Sequence, residues 1–571
     1  MKIRSYWRPS PVTTADRWNL VALLDRPATD TSSPADLGPA PAPPAPSSRV
    51  GLVVGALWLA VLIGWPDLPF TITFDDAWYY AQVAANVADG NGSTFDGINT
   101  TNGYHPLWLL FSVPFFAFGL SGVAAMRVLL GVQLLGWALV IGLVATIVRV
   151  AGIDSIGRLD RAEHRRVTRT ATVALAIVGL TPMITKTFAN GMESGLVGPI
   201  HALLLLTAVG CRGRLIDAPR GTRWILGALF ALVVLARTDG TMIVLAAGLW
   251  SLPDLWPLSV ERIRRALPVF APSVVALMAF MAGNLALVGH PLQVSGEIKR
   301  VALTTPRFAL LAVFVLGAGW VLRAGRRASA RTPDRFLRTH AIWSRSAFHL
   351  AGAVLQVGYY VTLSAQQWLW YFAPLILHAV LLAVAVITDF SEEAEIEGRT
   401  ATRPTARFVG IALVVGLLAG ALFQTSRFTD PNLGSIQLAN REAAEWVSAN
   451  LPDDAVLSAW DAGVLGYFAE QPVVNLDGVI NSYEYLDALN QGTTATFLAE
   501  NDVTWVINHG PMDETGVDPD FIPLIRAYFG VDEAAITLER TWPFTYSGTT
   551  DSEPWPDGLR PMAVYLYRID R

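Results

Sequence analysis

The stretch of sequence between residues 73 and 108 holds two adjacent carboxylates, Asp75 and Asp76, and no lysine or arginine. A carboxylate held at the start of a helix can act as a general base on a hydroxyl group. The pair could instead only start the helix, because Asp76 follows Thr73 by three residues in a capping-box arrangement and Gly90 is placed to end the helix. The two interpretations are compatible, and the residues alone leave both open.

The same stretch carries side chains that could bind a sugar. Tyr79, Tyr80 and Tyr104 could stack on sugar rings, and anchoring at the bilayer interface is the alternative for each. His105, which precedes Pro106, could bind a ligand or donate a proton. Fixing the loop is the alternative role for His105.

Further ionisable residues stand at the ends of apolar runs, where the cost of burying charge makes a function the default expectation. Lys299 or Arg300 could hold a phosphate group, and snorkelling to the interface is the alternative. The charged residues of "ANGMESG" and "ARTDG" could form an internal ion-pair network instead. The binding residues predicted outside the first stretch are Glu193, Arg237, Asp239, Glu297, Lys299, Arg300, Trp370 and Tyr371.

A single divalent ion on Asp75 and Asp76 is a further hypothesis, with Mg or Mn as the metals that suit carboxylate ligands. The sequence shows no His/Cys metal motif, and its one cysteine, Cys211, excludes an internal disulfide. No other cofactor is predicted.

The composition is typical of a membrane protein. Of the 571 residues, 52% are hydrophobic and only 16% are charged, whereas soluble domains carry about 25% charged residues. Nineteen tryptophans fit the same class, because indole rings favour bilayer interfaces. We therefore expect a multi-pass membrane protein, surrounded by lipid bilayer, with no nucleic acid partner.

Apolar runs long enough to cross the hydrocarbon core as helices predict about eleven transmembrane spans. With the N-terminus inside, the Arg-rich loops at 158–169, 212–223, 261–265, 323–338 and 399–407 all fall inside, as the positive-inside rule requires, and the C-terminus falls outside. The predicted spans lie near 50–66, 123–149, 169–187, 194–211, 223–237, 240–256, 267–288, 307–323, 345–364, 371–388 and 408–425.

The chain divides into three predicted regions. Residues 1–48 are Pro-, Ala- and Ser-rich and are expected to form a disordered cytoplasmic tail. Residues 49–427 form the transmembrane domain, whose first external loop, 67–122, includes an interfacial helix at 105–119. Residues 428–571 are expected to form an extracytoplasmic α/β domain. Its strand candidates are 455–460, 472–476, 503–508 and 562–568.

The motif "DDAWYY…NG…TNGYHPLW", followed by "NGMES", "RTDG", "SGEIK" and "LSAWDAGVLGYF…VVNLDGVIN", resembles an uncharacterised branch of the GT-C superfamily of membrane glycosyltransferases. This superfamily includes protein O-mannosyltransferases, lipid A aminoarabinose transferases and mycobacterial arabinofuranosyltransferases. The resemblance covers about residues 50–571. It implies the GT-C fold, a location in the plasma (inner) membrane and an active site on the extracytoplasmic face.

The resemblance also implies a reaction. A sugar would pass from a polyprenyl-phosphate donor to a cell-envelope glycan, lipid or protein acceptor, as in cell-wall biosynthesis, and direct displacement would invert the anomeric carbon. Asp75 matches the acidic residue that acts as base or organises the site, with Asp76 as its neighbour. Arg237, Lys299 or Arg300 would neutralise the leaving phosphate. A lipid-linked-sugar transporter or flippase and a non-catalytic sugar-binding protein are the alternatives.

Overall fold

The computed structural model describes residues 43–398 apart from residue 332, and residues 434–570 apart from 514, 515, 517, 519 and 547–558. Between 399 and 433 it describes residues 412, 415, 416, 418–425, 430 and 432. The prediction of a disordered tail over residues 1–42 lies outside the described residues. So does much of the predicted span at 408–425, of which residues 412, 415, 416 and 418–425 are helical.

Helices build the described chain from residue 50 to residue 398, and each of the first ten predicted spans corresponds to a helix or, in one case, to a bent helix pair. The helices are α1 (Val50–Gly64), α2 (Leu68–Ile72), α3 (Asp75–Ala88), α4 (Pro106–Ala117), α5 (Gly122–Ala151), α6 (Arg161–Leu180), α7 (Pro182–Phe188), α8 (Ser194–Gly210), α9 (Arg220–Ala236), α10 (Thr241–Leu255), α11 (Val260–Val288), α12 (Val294–Ile298), α13 (Thr305–Ser329), α14 (Leu337–Leu363) and α15 (Ala373–Gly398).

Four helical segments of the described chain are long and apolar enough to cross a membrane: α5, α11, α13 and Leu369–Glu397. The pair α6 and α7, bent by 67°, would be a fifth. Helices such as α8 and α9 have 17 residues each and rise about 26 Å, less than the roughly 30 Å of a hydrocarbon core. The chain is thus a helical membrane protein, while the count of eleven spans and their orientation stay predictions.

Helix α3 in the first loop begins without the capping box that was one of the two interpretations of the aspartate pair. Phe74 is its N-cap residue, and no side chain caps the helix. The Thr73 hydroxyl instead donates to the carbonyl of Pro69, at 2.5 Å. The predicted end is confirmed, because Gly90 has a φ of +85°, a conformation that glycine adopts without a Cβ penalty. Helix α4 of 12 residues occupies the segment predicted as an interfacial helix.

The C-terminal region from residue 435 is a small α/β domain, as predicted. Its sheet has the order β2-β1-β3-β5-β4, in which β1, β2 and β3 are parallel and β5 pairs antiparallel with both β3 and β4. The four predicted strands are confirmed, and β4 was not predicted. The elements are α16 (Ser435–Asn450), β1 (Val456–Ala459), α17 (Gly463–Phe468), β2 (Val473–Asn475), α18 (Tyr483–Gln491), α19 (Thr494–Glu500), β3 (Val503–Pro511), α20 (Phe521–Phe529), β4 (Ile536–Tyr546) and β5 (Arg560–Ile569).

The α/β domain packs directly on the first loop. Trp78 of α3 is fully buried, and its ring lies 5.2 Å from the ring of Phe70 and 5.2 Å from that of Phe468 in α17. Gly103 of the loop lies so close to the carbonyl oxygen of Val479 that an added Cβ would stand 2.1 Å from it. A larger residue at position 103 would therefore push the α/β domain away from the loop.

The boundary of the predicted tail needs a correction. Residues 43–46 are buried, and the carbonyl of Pro44 accepts hydrogen bonds from Nε and Nη2 of Arg338, at 3.1 and 2.8 Å. Arg338 is itself fully buried and paired with Asp389 and Glu392. A buried guanidinium needs hydrogen-bond acceptors, and the chain before α1 supplies one of them. Residues 43–46 therefore belong to the packed helical domain and not to the tail.

Candidate functional site

A cavity of about 410 Å³ opens where the ends of several helices meet the first loop and the α/β domain. We call it the aspartate cavity, after Asp76. Of the predicted site residues it is lined by Asp76, Tyr79, Tyr80, Tyr104, His105, Glu193, Arg237, Asp239, Lys299, Trp370 and Tyr371. Chain segments almost 300 residues apart in sequence therefore contribute to one site.

Arg237 is the centre of a buried ion network on one wall of the aspartate cavity. Its guanidinium pairs with Glu193 and, at 3.0 Å, with Asp239. It also donates to the hydroxyl of Tyr360 at 2.6 Å, and the hydroxyl of Tyr80 donates to Glu193 at 3.0 Å. Two carboxylates thus more than neutralise this single cation. Arg237 is engaged by the protein itself, which agrees with the ion-pair alternative and leaves little charge for a phosphate.

Lys299 is the other cation of the aspartate cavity. Its ammonium donates to the hydroxyl of Tyr371 at 3.2 Å, and among the described residues no carboxylate forms an ion pair with it. Burial lowers the pKa of Lys299, but the nearby Tyr371 and Asp76 raise it to a net value above the ordinary one. The side chain therefore stays charged and is placed to attract an anion that enters the cavity.

Asp76 faces the same cavity from the first turn of α3. Burial raises the pKa of Asp76 above its usual range, Lys299 lowers it, and Glu193 raises it further. No side chain of the described residues donates a hydrogen bond to its carboxylate. A half-buried carboxylate with free lone pairs and a raised pKa is suited to accept a proton from a hydroxyl group.

Asp75 points elsewhere, although it is the neighbour of Asp76. Its two carboxylate oxygens accept hydrogen bonds from the backbone N–H groups of Gly463 and Val464, at 2.6 and 3.0 Å. Gly463 is the first residue of α17, so Asp75 caps the start of a helix in the α/β domain. Asp75 does not line the aspartate cavity, and its contacts are those of a residue that holds two domains together.

The hypothesis of a divalent ion shared by Asp75 and Asp76 does not fit this geometry. Both oxygens of Asp75 are occupied by backbone donors, and the two side chains face different surroundings. Among the residues described, no group of three His, Cys, Asp or Glu side chains is arranged to hold a metal ion. The function proposed below therefore uses no step through a metal.

The aromatic and histidine residues of the first loop form the other side of the cavity. The hydroxyl of Tyr79 donates to Asp477 at 3.2 Å, and that of Tyr104 lies 2.6 Å from the hydroxyl of Ser93. Burial lowers the pKa of His105 to about 4, so its ring is neutral near pH 7. The neutral ring lies 3.1 Å from the side-chain amide of Gln293.

Two predicted binding residues, Glu297 and Arg300, lie outside the cavity lining, as does Asp75, which was predicted as catalytic. They pair with each other at 2.8 Å, and the Arg300 side chain is 57% exposed. This matches the alternative of a basic residue at the interface. Both residues are close in sequence to Lys299. The chain turns at the end of α12, and of these three residues only Lys299 lines the cavity.

Several cavity residues were not singled out in the sequence. Tyr360 lies in the apolar segment "VGYYVTL". Its hydroxyl donates a hydrogen bond to Asp239, a contact that the sequence of this segment does not predict. Val479 and Ile480 bring the α/β domain into the cavity wall. The motif "VVNLDGVIN" that contains them was noticed, but only the fold shows that it reaches the site.

Comparisons with known proteins give a partial match by sequence. Residues 431–564 match a family model described as "Domain of unknown function (DUF8728)". This region corresponds to the α/β domain and its entry segment. No curated protein matches the chain.

Two solved structures of ArnT from Cupriavidus metallidurans are similar over most of the chain, each at 12% sequence identity. The apo structure covers 89% of this chain and 98% of its own with a TM-score of 0.42. The structure bound to undecaprenyl phosphate covers 91% and 98%, with a TM-score of 0.48.

Proposed function

We propose that the chain is a membrane glycosyltransferase that moves a sugar from a polyprenyl-phosphate donor to a hydroxyl group of a cell-envelope acceptor. One observation carries the proposal: Asp76 and Lys299 face the same cavity, and neither has an ion-pair partner among the described residues. A proton acceptor and a phosphate-binding cation in one cavity are the two groups that such a transfer needs.

The donor would reach the cavity from the lipid side. Leu277, Phe280 and Met281 of α11 line the cavity, and their spacing places them on one face of the helix. Helix α11 is long and apolar enough to span a membrane, and only 17% of its apolar window is buried in the protein. A prenyl chain lying along this face would leave its phosphate near Lys299.

In the proposed reaction, the acceptor hydroxyl attacks the anomeric carbon of the sugar. Asp76 takes the hydroxyl proton as the new carbon–oxygen bond forms. The bond between the anomeric carbon and the phosphate oxygen breaks, and the polyprenyl phosphate leaves with its charge balanced by Lys299. A direct displacement of this kind inverts the anomeric carbon.

The assignment of the base to Asp76 replaces the one that the family resemblance implies for Asp75. Asp75 would have to give up two backbone hydrogen bonds to reach a substrate. Arg237 would hold Glu193 and Asp239 in place rather than bind the phosphate. Tyr79, Tyr80, Tyr104 and Trp370 would contact the sugar or the acceptor.

The test is a transfer assay on the purified full chain in proteoliposomes. A panel of radiolabelled polyprenyl-phosphate sugars is supplied with cell-envelope acceptor fractions, and Asp76→Asn is measured beside the unaltered protein. We expect transfer from at least one donor and a loss of about 100-fold or more in the variant. Movement of donor across the bilayer without any transferred sugar would instead support a flippase and contradict the proposal.

A further inference from the structure

A second cavity, of about 880 Å³, lies at the opposite end of the helices that form the first one. We call it the arginine cavity. Helix α8 has Glu193 at its start in the aspartate cavity and Arg212 just past its end in the arginine cavity. Helix α10 likewise runs from Thr241 in one to Asp254 in the other. The two cavities are therefore separated by roughly 20–28 Å of helix.

The arginine cavity carries a clear excess of positive charge. Its lining includes six arginines and three aspartates, Asp217, Asp254 and Asp334. Asp217 and Asp254 already pair with Arg265 and Arg326. Arg265 lies outside the lining, so that pair takes a negative charge away from the cavity. Arg158 pairs with Glu392 and Glu393, which lie outside the lining, whereas Asp334 has no ion-pair partner among the described residues. The six lining arginines are Arg158, Arg212, Arg214, Arg326, Arg331 and Arg345.

Three of these arginines have no side-chain partner among the described residues: Arg212, Arg214 and Arg331. They come from two separate chain segments, the turn after α8 and the residues after α13, and they line one concave surface. Surface arginines that only mark the inner side of a membrane protein have no need to converge on a cavity. The three side chains are exposed to solvent, and guanidinium groups without a partner on one concave surface are able to bind a phosphate together.

The wall that carries Arg212 and Arg214 is held rigidly. The carbonyl of Gly213 accepts a hydrogen bond from the indole of Trp250, at 3.0 Å. Arg326 lies over the Trp250 ring at 4.4 Å and pairs with Asp254 at 2.6 Å. Gly213, with a φ of +70°, packs so tightly on the backbone of Arg345 that a Cβ would lie 2.9 Å from it. The turn is thus fixed to α10 and α14. The backbone that carries Arg212 and Arg214 is therefore held in place.

From this geometry we infer that the arginine cavity is a binding site for a phosphate group, such as the headgroup of an anionic phospholipid in the leaflet that the Arg-rich loops face. Basic pockets between transmembrane helices bind such headgroups. The site is separate from the aspartate cavity and does not depend on the function proposed for it.

The experiment measures binding by native mass spectrometry of the full chain released from detergent. The probes are phosphatidylglycerol, phosphatidylcholine and inorganic phosphate. The test variant is Arg212→Gln/Arg214→Gln/Arg331→Gln. The matched control is Arg161→Gln/Arg165→Gln/Arg169→Gln, which removes three exposed arginines of α6 outside the cavity. Size-exclusion profiles and helical content establish that both variants are folded.

We expect the unaltered chain and the control to bind phosphatidylglycerol at least about tenfold more tightly than phosphatidylcholine, and the test variant to lose this preference. Each replaced arginine removes the charge-assisted hydrogen bond that it would make to the phosphate. If inorganic phosphate binds as well and competes with the lipid, the phosphate group itself is the ligand. If it does not compete, the ligand is the lipid headgroup. Equal binding of both lipids, or an equal loss in the control, overturns the inference.

Discussion

The aspartate cavity and the arginine cavity lie at the two ends of the same helices, but they differ in which of their charged residues are paired. At one end Arg237 is paired with Glu193 and Asp239, and Lys299 and Asp76 line the cavity without an ion-pair partner among the described residues. At the other end two of the three aspartates, Asp217 and Asp254, are paired, and three arginines have no side-chain partner among the residues that the structure describes. A site is therefore identified by the charges that the protein has not neutralised, rather than by all the charged residues nearby.

The largest expected effect tests whether Arg237 is structural. Arg237→Met leaves two buried carboxylates without their cation, which should destabilise the fold by about 3–5 kcal/mol. Thermal unfolding in detergent measures this. The matched control is Arg300→Met, which breaks the exposed pair with Glu297 and should cost about 0–1 kcal/mol. Equal losses in the two variants would remove the distinction between a buried and an exposed ion pair.

The next effect concerns the free cation of the aspartate cavity. Lys299→Met should lower the rate of sugar transfer by about 10²–10³-fold, because one group that stabilises the leaving phosphate is lost. Lys299→Arg should recover part of that rate because it keeps the charge. Initial rates at saturating donor give the comparison. A Lys299→Met variant with unchanged rates would show that the phosphate is held elsewhere.

A smaller effect is expected where the first loop meets the α/β domain. Asp75→Ala removes the acceptor for two backbone N–H groups of α17, which should cost about 1–3 kcal/mol. Limited proteolysis should then cut the chain before α16 several times faster than in the unaltered protein. Asp75→Asn keeps one acceptor oxygen, so its cleavage rate should lie between those of the unaltered protein and Asp75→Ala. No change in cleavage would contradict the docking role of Asp75.

The smallest expected effect is the change in transfer rate with pH. Since the pKa of Asp76 is raised by burial, the base is protonated at pH values where an ordinary aspartate is still ionised. Transfer should therefore fall about tenfold for each pH unit below that raised pKa. The limb should appear in kcat/KM at a pH above the usual aspartate range of about 3.9. The residual rate of Asp76→Asn should lack it, and a limb that persists in this variant would assign the titration to another group.

The helical positions could be predicted because apolar runs of the right length leave few alternatives. Strand β4 could not, since it is an edge strand of the sheet and contains Pro543, Glu539 and Arg540. Proline and charge are tolerated at an edge because one side of the strand needs no partner. These residues obscure the alternating pattern by which the other strands were recognised.

Most of the residues that the sequence singled out line the aspartate cavity, because they stand at the ends of apolar runs that form helices. The separate roles of Asp75 and Asp76 could not be predicted. Adjacent residues of a helix point about 100° apart, so one faces the cavity and the other faces α17. Which of the two faces the substrate depends on where the α/β domain docks, and the first loop alone does not contain that information.

The most direct test of the account compares Asp76→Asn with Asp75→Asn in the same membrane preparation, with the same radiolabelled polyprenyl-phosphate sugar and acceptor. The account predicts that Asp76→Asn loses about 100-fold or more of the initial transfer rate, while Asp75→Asn stays within about tenfold of the unaltered protein. Full activity in Asp76→Asn, together with a large loss in Asp75→Asn, would contradict the assignment of the base to Asp76.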